Sequence, residues 1–145
     1  MLTLPKPVKQ RIASEFRFAA DGMAKAADLP TKLYYFSALF GETNRVFNVS
    51  WQRELGLMHL VLQETYRQIH AGVTEMQSGF DRAIIGITAA LPEELTKIGL
   101  DLAVLFEDNK IDEVKLFNIL ARAAELTYVT TGNGHYLLLR GKITL

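Results

Sequence analysis

His59, Gln63, Tyr66 and His70 follow one another at steps of four, three and four residues, the spacing that sets side chains in a single row along a helix. Such a row of imidazole, amide and phenol groups can line a ligand pocket or move protons near neutral pH, where histidine titrates. The plainer reading is a half-exposed flank that makes hydrogen bonds between helices, and no motif raises the row above it. Glu42 falls inside an otherwise apolar stripe, where burial would force its carboxylate to find a partner or take up a proton. Arg45, three residues on, supplies an ordinary ion-pair partner. Glu42, His59 and His70 are thus the candidate catalytic residues, and His59, Gln63, Tyr66 and His70 the candidate ligand-binding ones.

Other chemistries find less to work with. A di-iron helical bundle needs repeated Glu-x-x-His, whereas Glu54 and His59 are five residues apart and Glu64 and His70 are six. No His-Glu-x-x-His is present and the chain has no cysteine, so no metal site is expected. Gly132-Asn133-Gly134 follows a strand-like run and precedes another, the wrong setting for a phosphate loop, and no cofactor is expected. Ser14, Ser37, Ser50 and Ser78 lack the surroundings of a nucleophile elbow.

A nucleic-acid reading rests on element order. A helix at 92–106, a turn, a helix at 112–126 and a hairpin would reproduce a winged helix, with Lys115, Asn118 and Arg122 on the exposed face of the second helix. Charge opposes it. Residues 93–125 hold eight acids against four bases, and the would-be recognition helix opens Asp112-Glu113, so phosphate would meet repulsion.

The elements that must carry these residues are helical almost throughout. Val8, Ile12, Phe16, Ala19 and Met23 recur at helical steps behind Pro5 and Pro7, which predicts a first helix over about 5–28. It should stop near Asp28, because Leu29 precedes Pro30 and is pushed towards extended geometry. Thr31 then caps a second helix over 31–47, with Phe36, Phe40, Thr43 and Phe47 beside a neighbouring stripe of Tyr35, Leu39, Glu42 and Val46. The Asn48-Val49-Ser50 stretch reads as a break, with a continuous helix as the alternative.

A third helix over 51–78 has the strongest periodicity: Trp51, Leu55, Met58, Leu62, Thr65, Ile69, Gly72 and Met76 alternate steps of four and three. That seven-residue seam needs a partner helix, and its small residues permit close approach. Trp51 and the preceding Tyr34, Tyr35 and Phe36 are either core or an interface cluster. Ile84, Ile87, Leu91, Leu95, Ile98, Leu102 and Leu105 form one stripe through Pro92, read as two helices, 82–91 and 92–107, meeting at a bend. Ile111 and Asp112 provide a staple and cap for a helix over 112–126, whose buried face is expected to include Val114, Phe117, Leu120, Ala121, Ala124 and Tyr128. Thr127–Thr131 is β-branched and aromatic, and Tyr136–Leu145 alternates, so a β-hairpin is expected over about 127–145.

Composition frames the whole. The chain has 145 residues, 49% hydrophobic and 22% charged, and its zero net charge divides into eight bases and four acids up to residue 53, then eight bases and twelve acids. This is a single domain over 1–145, with no span long enough for a membrane and no signal-peptide pattern, so a cytoplasmic address is expected. The predicted architecture is mainly α, an antiparallel bundle of five to six helices with a C-terminal β-hairpin. The expected role is non-enzymatic: a structural or regulatory protein that self-associates as a dimer or larger assembly. A small-molecule or enzymatic pocket on the His59 row and a winged-helix DNA-binding module at 92–145 are the alternatives.

Overall fold

The computed structural model describes residues 4–40, 52–77 and 91–131, which form a helical bundle. Its helices are α1 (Lys6–Lys25), α2 (Leu29–Phe36), α3 (Gln52–Gln77), α4 (Leu91–Glu107) and α5 (Glu113–Thr131).

Pro7 sits in the first turn of α1, where a missing N–H costs no helical hydrogen bond. The predicted stripe is buried at Ile12, Phe16, Ala19 and Met23, with Ala13 and Ala20 beside it. The boundary with α2 differs from expectation. α1 ends at Lys25, and Asp28 rather than Thr31 caps α2, its carboxylate accepting the Thr31 N–H at 2.7 Å. Asp28 itself takes the extended geometry, which leaves Leu29 and Pro30 free to occupy the first turn. Hydrogen bonding from Thr31, through its side chain first and its backbone N–H second, holds the Asp28 carboxyl below its usual range. α2 closes at Phe36, where the Ser37 hydroxyl donates to the Tyr34 carbonyl at 2.6 Å. The expected 31–47 helix is therefore interrupted at Ser37, within the described residues. Residues 41–47, the Asn48–Ser50 break, Trp51 and residues 82–90 of the expected 82–91 helix lie outside the described residues, and Leu91 opens the next helix instead.

α3 matches the predicted span to within one residue at each end. Met58, Leu62, Thr65 and Ile69 of its seam are buried, and α3 lies mainly against α5. The Thr65 hydroxyl donates to the Val61 carbonyl at 2.9 Å and stands 3.4 Å from the Ala123 carbonyl on α5. The central part of the seam, Met58 to Ile69, is therefore occupied within the chain.

α1 and α4 run antiparallel: the rings of Phe16 and Phe106 meet edge to face at 4.9 Å, and Met23 reaches Gly99. Pro92 lies in the first turn of α4, and Leu95, Ile98, Leu102 and Leu105 are buried as their stripe predicts. Asp112 caps α5 by accepting the N–H groups of Val114 and Lys115 at 2.9 and 3.3 Å, over a buried Ile111. α2 touches α1, α4 and α3 and so links the α1–α4 pair to the α3–α5 pair.

Two expectations for α5 are corrected. Leu120, Ala121 and Ala124 are buried as expected, but Val114 is 68% exposed, because Leu116, Ile119 and Ala123 complete the buried face instead. The hairpin does not begin at 127: α5 continues through Thr131, so Thr127–Thr131 is helical and no strand occurs among the described residues. A β-branched run disfavours helix by only tenths of a kcal/mol per residue, roughly, and a helix already formed over Leu116–Leu126 offers each added residue a backbone hydrogen bond. Residues 132–145, including the expected Gly132-Asn133-Gly134 turn, lie outside the described residues. No helix in the described part is long and apolar enough to cross a membrane.

Candidate functional site

The row on α3 is brought together by Phe40, the last described residue after α2. His59 Nδ1 lies 3.2 Å from the Phe40 carbonyl oxygen. A carbonyl can only accept, so Nδ1 carries the proton and the tautomer of the neutral ring is fixed. The Phe40 ring meets His59 edge-on at 6.0 Å and Tyr66 at 5.7 Å, and Tyr66 stacks on His70 at 5.7 Å and 24°. Gln63 is half-buried on the same helix and His70 is exposed. The row thus acts first as an aromatic join between α3 and the chain leaving α2, with Phe40, read from the sequence as core alone, at its centre. Glu42 and Arg45 lie outside the described residues. Among the described residues no group of three His, Cys, Asp or Glu side chains could hold a metal ion.

The three nucleic-acid candidates meet at a different place. Lys115, Asn118 and Arg122 line a groove of about 370 Å³ between α4 and α5, facing Leu100, Asp101, Val104 and Asp108. Arg122 Nη2 donates to Asp101 Oδ2 at 2.8 Å, so the guanidinium is already engaged by a carboxylate. Its Nε is buried and has no hydrogen-bond partner among the described residues. The basic side chains therefore form one wall of a groove whose other wall is acidic, and the helical course of Thr127–Thr131 removes the first wing strand that a winged helix would need. The groove's apolar floor was visible in the sequence only by subtraction. Leu100 and Val104 are large apolar residues four apart that the buried stripe of α4 leaves out, and they are 43% and 55% exposed.

Two further surfaces complete the picture. Phe18 and Tyr34 are exposed on either side of Tyr35, with ring separations of 5.5 and 5.3 Å, while Phe36 is core. On the opposite edge of α1, Arg17 grips Glu107 through two parallel bonds, Nε to Oε2 at 2.9 Å and Nη2 to Oε1 at 2.6 Å. This fork holds the Glu107 carboxyl below its ordinary value and the Arg17 guanidinium above its own. Comparison with protein-family models, curated proteins and solved structures finds no match to this chain.

Proposed function

We propose that this is a non-enzymatic, self-associating helical protein of structural or regulatory kind, working through protein contacts. The observation that supports it is the α4–α5 groove, where Leu100 and Val104 stay exposed beside Ile119 in a concave surface rimmed by charge. An apolar floor inside a polar rim is the arrangement of a contact surface, and covering two such side chains contributes about 1–3 kcal/mol each. The central part of the α3 seam, Met58 to Ile69, lends no support, since it is filled from within the chain. Sedimentation velocity across the micromolar range tests the proposal. Association that rises with concentration and is lost in Val104→Glu is the expected result; a monomer at every concentration would overturn it.

A further inference from the structure

Resting on that reading, we infer that the occupant of the α4–α5 groove is a second copy of this chain, docked about a two-fold axis that runs along the groove. The groove has walls of opposite sign: Asp101 and Asp108 on the α4 side, Lys115 and Arg122 on the α5 side. At one end the signs cancel within the chain, through Arg122 and Asp101. At the other end Asp108 and Lys115 are both exposed, and neither has an ion-pair partner among the described residues.

A self-complementary contact between two such grooves allows two kinds of axis in the contact plane. An axis across the groove sets each α4 wall on the other copy's α4 wall, carboxylate against carboxylate and cation against cation. An axis along the groove sets each α4 wall on the other copy's α5 wall at the same level. Asp108 then meets Lys115 of the other copy twice, once on each side, and Leu100 and Val104 close over the other copy's Ile119. Like charges brought together at a contact are strongly disfavoured, and an isologous contact repeats each pairing twice. Charge complementarity thus selects both the occupant and the axis.

A charge swap tests this on the full chain, with helical content followed by circular dichroism. Lys115→Glu sets acid against Asp108 and should raise the dissociation constant at least about tenfold, whereas the double variant Asp108→Lys with Lys115→Glu rebuilds the pair in reverse and should return it to within a few-fold of the parent. Loss in the single variant with recovery in the double supports the axis along the groove. Unchanged or tighter association of Lys115→Glu overturns it and leaves self-association standing, since an axis across the groove would bring position 115 towards the other copy's Arg122. Loss without recovery in a double variant that keeps its helical content overturns the Asp108–Lys115 contact. A parent chain that never associates overturns the self-association reading itself.

Discussion

Gly22 of α1 lies flat against the ring of Tyr35 on α2, so close that a β-carbon at position 22 would overlap the ring atoms Cγ, Cδ1 and Cε1. Alanine is the better helix former by about 0.5–1 kcal/mol, but seating it here requires Tyr35 to move from its root and to leave Phe18 and Tyr34. Gly22→Ala should therefore destabilise by about 1 kcal/mol or more, the scale of an overpacked contact. At Gly99 the obstacle is only the terminal methyl of Met23, a chain end with rotamers to spare. Gly99→Ala should cost clearly less than Gly22→Ala, and urea denaturation of the two variants side by side reads the difference.

The Arg17–Glu107 fork should show itself on the acid side. Glu107 has a folded value below its ordinary 4.5, so its contribution is complete above that pH and is lost as the pH falls through the folded value. Asp28 acts in the same direction through its cap. Because both partners of the fork are more than a third exposed, solvent screening limits the pair to about 0.5 kcal/mol at neutral pH. Glu107→Gln should lower the urea midpoint modestly at pH 7 and flatten its decline towards acid; an acid limb as steep as the parent's would refute the assignment.

Thr65 places a buried hydroxyl where α3 meets α5. Thr65→Val keeps the shape and deletes the bond to Val61, which should cost about 1 kcal/mol by thermal or chemical unfolding. Thr65→Leu should cost more, because it deletes the same bond and also adds bulk at a fully buried position between two packed helices.

His59 offers a spectroscopic check. With Nδ1 bound to the Phe40 carbonyl, the neutral ring should be the Nδ1–H form, and nitrogen-15 shifts of the two ring nitrogens should assign the proton to Nδ1. The opposite tautomer would place Phe40 away from His59 in solution.

What could be read from the sequence follows a physical divide. Stripes whose apolar side chains all face one way were legible: Ile12, Phe16, Ala19 and Met23 on α1, and Leu95, Ile98, Leu102 and Leu105 on α4, are buried as their spacing requires. Boundaries were less so, because competition between Asp28 and Thr31 for the cap turns on backbone geometry that spacing does not encode. The end of α5 misled because strand propensity at Thr127–Thr131 is local and weak, while the helix it extends is held by Leu116, Leu120 and Ala123. Lys115, Asn118 and Arg122 were legible as one exposed helix face, but the groove they line was not, because its other wall, Asp101 and Asp108, comes from a different part of the chain. The helical spacing of the His59 row could be read, but Phe40, which meets His59 and Tyr66, could not, because it is nineteen positions away from His59.

Ninety residues separate Arg17 from Glu107, and the face of α1 that carries Phe16 has α4 as its main cover. A ribosome adding about 5–20 residues per second needs roughly five to eighteen seconds to make that interval. For all of that time Ile12, Phe16 and Met23 emerge as a greasy strip with its principal mate unmade. The α4–α5 hairpin, joined by a five-residue turn, can close almost as soon as it leaves the tunnel. Of the described helices, α1 is thus the one that waits longest for its principal cover.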